Sequence, residues 1–318
     1  MFGTDTDRWR LRDIPDLSGT VAVVTGANSG IGLAVTRHLG ANGARVVMAC
    51  RSQHRAKHAR QRIAESVDAD LLHVYNCDLT DLTSVESFVT SVTSDFDALH
   101  LLCNNAGIMA IPRRETVQGF ERQFGVNHLG HVKLTAGLLA MLAETDGETR
   151  VITQGSGTHR RVKRFDIDNL IDPSTYHPWR AYYRSKLANA LFALELDRRL
   201  ERVDLDVRSV CCEPGFVRTN LPFKGPRMEN NRLKLVLWRV AQLVARSPDA
   251  GAQSMLFAAV SDEIGRGDYV QPAYFAYRGP PTIASPSDLA LDEALASELW
   301  ERSLAWTDSS FDLLDTST

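Results

Sequence analysis

Tyr182 and Lys186 open the stretch YYRSKLANALFALEL, and they are the pair in this chain best suited to proton chemistry. Residues four apart lie on one side of a helix, so the phenol and the ammonium point the same way. A free phenol, with a pKa of about 10, is almost wholly protonated at neutral pH. A neighbouring ammonium favours the phenolate, which would suit the tyrosine to general acid–base work. Taken alone, the pair is also compatible with an amphipathic helix carrying an exposed lysine.

A second constellation lies near the start of the chain. VTGANSGIG covers residues 24–32, follows an apolar run and precedes a helical pattern. Gly26, Gly30 and Gly32 allow a tight turn and a close approach of backbone to a pyrophosphate resting on the helix N-terminus. Asn28, Ser29 and Ile31 fill the same turn. The spacing is G-x-x-x-G-x-G. About 20 residues beyond such glycines, an acidic side chain holds the ribose of NAD. Here ACRS places Arg51 after Cys50 instead. A guanidinium fork suits a phosphate, so Arg51 points to NADPH rather than NADH.

The elements that must carry these groups can be read from hydrophobic runs. Segments 20–25 (TVAVVT), 45–50 (RVVMAC), 71–75 (LLHVY), 99–103 (LHLLC), 150–153 (RVIT) and 207–212 (VRSVCC) read as strands. They are nearly continuous in apolar or small residues, as in parallel strands buried on both faces. Helical patterns lie near 30–42, 53–67, 81–95, 115–142 and 181–202. The alternation predicts an α/β fold: one Rossmann-type domain with a doubly wound parallel sheet flanked by helices. With 318 residues, 44% hydrophobic and 24% charged, the chain is long enough for an ample core.

A net charge of -3 gives no general attraction to nucleic acid or anionic membrane. The five cysteines form no CxxC pair, and no His/Cys cluster has zinc spacing, so no metal is expected. Four of them lie in or at the end of apolar runs and read as core residues of a reducing compartment. The first residues lack the apolar segment of a secretory signal, and no run of about 18 apolar residues is present. A cytoplasmic location without a transmembrane segment is the expectation.

Seven motifs in order make the sequence similar to the short-chain dehydrogenase/reductase family over residues 18–305. TGANSGIG matches its cofactor turn, and NCDLTD places Asp78 and Leu79 at its adenine contact. NNAG supplies Asn105, Ala106 and Gly107, and GVNHLG supplies Asn127. TQGSG supplies Ser156, YYRSK supplies Tyr182 and Lys186, and EPGFVRT supplies Pro214, Gly215, Val217 and Thr219. YxxSKLAN, NHLGH and ACRS together resemble most the retinol-dehydrogenase-like branch. The resemblance implies that Tyr182 donates and accepts the proton. Lys186 would lower its pKa and hold the nicotinamide ribose, Ser156 would polarise the substrate carbonyl, and Asn127 would hold a relay water. The implied cofactor is NADPH/NADP, and the implied partner is a lipophilic aldehyde, ketone or alcohol.

Three departures from the family pattern stand out. Gly155 replaces a frequent serine, and Glu213 replaces the common histidine or asparagine before Pro-Gly. Ser156 and Tyr182 are also widely spaced, with residues 157–180 between them. That insert begins with HRRVKR, which reads as a solvated basic edge, and His128, His131 and His159 read as packing or surface residues. Residues 216–250 are expected to form a lid over the substrate, with LKLVLWRVAQLV (233–244) as its apolar helix; an interfacial membrane helix is the rival. The family often forms dimers or tetramers through helices like those at 115–142 and 181–202, where Lys133, His128 and Arg198 would lie; whether this chain is a monomer or a homo-oligomer stays open. Residues 1–17 and 306–318 are expected to flank the domain. Two other functions fit the motifs: reduction of a carbon–carbon double bond, as in protochlorophyllide reductase, and a non-catalytic NADPH-binding sensor or scaffold.

Overall fold

The computed structural model describes residues 9–170, 176–218, 228 and 245–314. Eight strands form one sheet in the order β3-β2-β1-β4-β5-β6-β7-β8. They are β1 (Val21–Thr25), β2 (Arg45–Cys50), β3 (Leu72–Asn76), β4 (Leu101–Asn104), β5 (Thr149–Gln154), β6 (Val207–Cys212), β7 (Tyr269–Tyr274) and β8 (Arg278–Ala284). All neighbouring pairs are parallel except β7 with β8. The chain reverses its direction of winding between β1 and β4, which opens a crevice at the carboxyl ends of those strands.

Successive side chains of a strand point to opposite faces of the sheet. In β1, Ala22 and Val24 enter one core with α1 (Gly30–Ala41) and α2 (Gln53–Ile63), while Val21 and Val23 enter the other with α3 (Leu82–Asp95) and α4 (Gly130–Glu144). All five residues of β1 are buried, which is why its sequence shows no polar alternation.

α5 (Pro178–Arg202) carries YYRSK. Pro178 sits in its first turn, where a missing N–H leaves no bond unmade. Leu187, Leu191, Leu196 and Leu200 bury its apolar face. α4 is preceded by a helical turn at Arg122–Phe124 and a π-helical stretch at Gly125–Leu129, which places Asn127 at an irregular point in the helix. Such bulges occur often at functional sites.

The elements beyond residue 245 lack a clear periodic signal. β7 and β8 contain Pro272, Pro280 and Pro281. Proline cannot donate to a ladder; β8 is the edge strand of the sheet, and β7, between β6 and β8, has a register shift between Pro272 and Tyr274. α6 (Pro248–Val260) packs beside α1. α7 (Glu293–Thr307) crosses α5 and α4, and Trp300 stacks on Phe192 at 5.5 Å. Phe311 and Leu314 are buried against this layer, while Ile14 and Leu17 join the core at the other end. The flanking segments are thus packed parts of the domain as far as they are described.

α7 covers His128, which is a packing residue: it is buried and hydrogen-bonded to Ser303 at 2.8 Å. Lys133 pairs with Glu86 at 2.7 Å and donates to the Asp308 carbonyl, and Arg198 pairs with Glu195 at 2.7 Å. Among the described residues, no helix is long and apolar enough to cross a membrane.

Candidate active site

The glycine turn joins β1 to α1. Gly26 and Gly30 adopt left-handed backbone with φ of +67° and +57°, a conformation that disfavours side chains. A Cβ on Gly32 would lie 2.6 Å from the Gly26 carbonyl oxygen and 2.5 Å from Nδ2 of Asn105. The Asn28–Ser29 segment caps α1 without a side-chain hydrogen bond from Ser29, and Ile31 packs inward. This is a cradle of bare backbone at a helix N-terminus, and it fits a dinucleotide pyrophosphate. Arg51 stands exposed one residue past β2, at the same end of the sheet.

Asn105 and Ala106 are tied to the turn. Both backbone N–H groups donate to Oγ1 of Thr25 at 2.9 Å, and Nδ2 of Asn105 donates to the Thr25 carbonyl at 2.7 Å. Asp78 closes its own turn by accepting from Thr80, and the Leu79 carbonyl lies 3.0 Å from where a Cβ on Gly130 would stand. A Cβ on Gly107 would meet Oδ1 of Asn127 at 3.3 Å and Nζ of Lys186 at 3.8 Å. The cofactor residues and the catalytic candidates therefore share one crevice. On its other side, Gly215 is left-handed at φ +71° beneath the Tyr277 carbonyl, and Val217 is buried and bridges to Arg246. Thr219 lies outside the described residues, as do 219–227 and 229–244 of the expected lid.

Tyr182 and Ser156 are neighbours, and the serine hydroxyl favours ionisation of the phenol. Ser156 follows β5 and caps a short 3-10 helix, accepting from the Thr158 hydroxyl at 3.0 Å. One turn along α5 from Tyr182, Nζ of Lys186 donates to the Gln154 carbonyl at 2.7 Å, and Nδ2 of Asn189 shares that acceptor at 3.0 Å. Asn127 works as a clamp. Its Oδ1 accepts from the Ile108 N–H at 2.8 Å, and its Nδ2 donates to the Ile108 carbonyl and to Oγ of Ser185.

The electrostatics differ from the sequence expectation. Burial pushes Tyr182 up to about 12; Ser156 is the neighbour that lowers it, and Glu213 and Tyr183 raise it further. Burial also brings Lys186 down to about 8. Both side chains are withdrawn from water, so desolvation outweighs the attraction expected between them. At neutral pH the phenol keeps its proton.

Several residues that sequence reasoning missed lie behind these groups. His131 bridges Oγ1 of Thr25 at 2.9 Å and the Asn127 carbonyl at 3.0 Å. The hydroxyl already accepts two N–H groups, so it donates to Nε2 and leaves Nδ1–H for the carbonyl. His159 accepts from the Ser287 N–H through Nε2 and so donates through Nδ1 to the Ser156 carbonyl at 2.8 Å. Burial lowers both imidazoles to about 4. The four-residue spacing of NHLGH was the one available signal for His131; nothing local announces His159.

HRRVKR is also not wholly a solvated edge. Arg160 turns inward to Glu213 at 3.4 Å, Gln271 at 3.2 Å and the Ser285 carbonyl at 2.8 Å.

A doubly wound sheet with this glycine turn and a Ser–Tyr–Lys cluster at its carboxyl end defines a nucleotide-dependent oxidoreductase. Residues 20–165 match the short chain dehydrogenase family. The chain belongs to that family, in its retinol-dehydrogenase-like branch, and is an oxidoreductase of alcohols or carbonyls. It is 38% identical over 298 residues to polyprenol dehydrogenase of Mus musculus, covering 92% of this chain and 85% of the relative. It is 34% identical to retinol dehydrogenase 11 of Homo sapiens, covering 90% and 85%. An uncharacterised protein from Mycobacterium paratuberculosis has the same fold, with a TM-score of 0.79 at 35% identity over 96% of this chain and 99% of that one.

Proposed function

We propose that this protein is an NADPH-dependent reductase of lipophilic aldehydes or ketones, or the dehydrogenase of the matching alcohols. The observation that carries the reading is the buried Tyr182, beside Ser156 at the end of β5 and one helical turn from the buried Lys186. Gly26, Asn28, Ser29, Gly30, Ile31 and Gly32 would hold the pyrophosphate, Asp78 and Leu79 the adenine side, and Asn105 to Gly107 the ribose side. Pro214, Gly215, Val217 and Thr219 would close over the nicotinamide. A bound NADPH supplies the hydride.

The chain's own groups do the rest. Tyr182, kept protonated by its burial, hands its proton from the phenol oxygen to the carbonyl oxygen. Ser156 donates to the same oxygen as negative charge develops there. Its backbone is fixed by His159, so the donor is in place before the reaction begins. Lys186 supplies positive charge beside the ribose, and Asn127 fixes the loop at Ile108 against α5. In the reverse direction the tyrosine accepts the alcohol proton.

Arg51 supports NADPH, because its fork matches a 2′-phosphate and no carboxylate replaces it there. The names of the relatives, polyprenol and retinol dehydrogenases, support a lipophilic substrate. The test is an NADPH-oxidation screen of aldehydes and ketones of graded chain length. Turnover rising with chain length is expected. Cofactor binding without turnover on any carbonyl would sink the proposal.

A further inference from the structure

We propose that Glu213 and Arg160 are positioning residues, a charged pair behind Ser156 and Tyr182 whose balance sets how readily the Tyr182 phenol parts with its proton. This rests on Tyr182 being the proton donor, as proposed above. Glu213 follows β6 directly and is 1% exposed, an unusual place for a carboxylate. The fold makes room for it. A Cβ on Gly157 would lie 2.7 Å from Oε2 of Glu213, so glycine next to Ser156 lets the carboxylate lie directly under the serine's loop.

The pair is built rather than incidental. Oε1 takes the Arg160 ion pair at 3.4 Å, and Arg160 is itself anchored by Gln271 and the Ser285 carbonyl. Its guanidinium also lies 5.5 Å from the centre of the Tyr269 ring. Among the described residues Oε2 has no hydrogen-bond partner, and neither has the nearby Tyr269 hydroxyl. One carboxylate oxygen thus has no partner of its own among them, and the charge is felt by its neighbours. Those neighbours are Arg160 from the 3-10 turn, Tyr269 from β7, Cys211 and Cys212 from β6, and Tyr182 from α5, where Tyr183 and Lys186 also stand nearby. Burial raises Glu213 itself to about 7, so it is charged through the alkaline range in which a phenol titrates.

The consequence has a definite sign. A carboxylate near a phenol opposes the phenolate, and a guanidinium beside that carboxylate offsets the effect. Glu213 keeps the proton on Tyr182 and so favours donation to a carbonyl. It delays the tyrosine's service as a base in alcohol oxidation until higher pH. Arg160 limits the delay.

The experiment is the pH profile of kcat for alcohol oxidation with NADP and an alcohol whose carbonyl partner is turned over. Glu213→Gln, which keeps the shape and removes the charge, should move the alkaline onset down by at least about half a pH unit. Arg160→Gln should move it up, and Arg160→Lys should restore the wild-type position. NADPH affinity should stay within about twofold throughout. A near-ultraviolet titration of the Tyr182 phenolate, taken as the difference from Tyr182→Phe, reads the same shifts without turnover. Shifts in the same direction, or a loss of rate equal at every pH, would overturn the pair's role. Activity retained in Tyr182→Phe would instead overturn the proton-donor reading, so the two failures are distinguishable.

Discussion

The glycine turn between β1 and α1 holds much of its shape by contacts a few residues apart, whereas Ser156 is held by His159, which is itself fixed from position 287, and stands beside Tyr182 of α5. In the turn, the left-handed backbone of Gly26 and Gly30 and the tight fit of Gly32 under the Gly26 carbonyl follow from residue types in nine consecutive positions. At Ser156, His159 holds the carbonyl and is in turn held by the Ser287 N–H from the segment after β8, while Tyr182 comes alongside from α5. The proposed nucleotide side is thus a local motif that would bind with backbone. The proposed catalytic side is a tertiary assembly of buried side chains, whose proton affinities are shifted chiefly by desolvation. Damage to the first should appear in binding, and damage to the second in turnover.

The largest effect should come from the catalytic side. Tyr182→Phe removes one hydroxyl and should lower kcat by about 100- to 10,000-fold while NADPH binding stays near normal. Parallel losses in both, by stopped-flow and by fluorescence titration, would break the division between the two sides.

Gly32→Ala should do the opposite. The added methyl meets backbone at 2.6 Å, which cannot move aside as a flexible side chain can. NADPH affinity should fall by more than about tenfold, a change of ~1.4 kcal/mol. A variant binding as tightly as the wild type would show that this turn does not carry the pyrophosphate.

Arg51→Asp sharpens the nucleotide side. A hydrogen bond to a charged partner is worth about 1.5–3 kcal/mol, so NADPH should weaken at least tenfold while NADH is unchanged or improved. A wild-type preference for NADH, measured by kcat/KM with each cofactor, would overturn this role of Arg51.

The smallest effect is on stability. Burial holds His131 at about 4, below its ordinary value of about 6.5. The unfolded chain therefore takes up a proton first as pH falls, and stability present above about 6.5 is lost on the way down to about 4. His131→Gln should flatten the decline of unfolding free energy between pH 6.5 and 4, by no more than ~1.4 kcal/mol per pH unit. Denaturant melts at several pH values give the slope, and an unchanged slope would mean that His131 titrates normally in the folded protein.

Legibility in the sequence followed the same division. The first six strands and the helices linking them were readable, because strands buried on both faces leave unbroken apolar runs such as VAVVT and RVVMAC. β7 and β8 were not, because prolines interrupt their apolar signal: Pro280 and Pro281 sit in the edge strand β8, and Pro272 sits in β7 at its register shift. Asn127, Ser156, Tyr182 and Lys186 were found by motif, and the structure brings them together around the end of β5. Their electrostatics were not legible: a four-residue spacing predicts that Lys186 acts on Tyr182, and only burial reveals that desolvation prevails.

The sequence by itself determined where backbone would approach a phosphate, which strands would be buried on both faces, and which side chains could carry a proton. These depend on residue type and on spacings within one element, where local geometry is fixed by chain connectivity. Only the tertiary structure decided that α7 would cover His128, that His159 would fix Ser156, and that Arg160 would turn in toward Glu213. Those outcomes depend on which distant groups share a low-dielectric interior, and there a charge is worth what its neighbours make it worth.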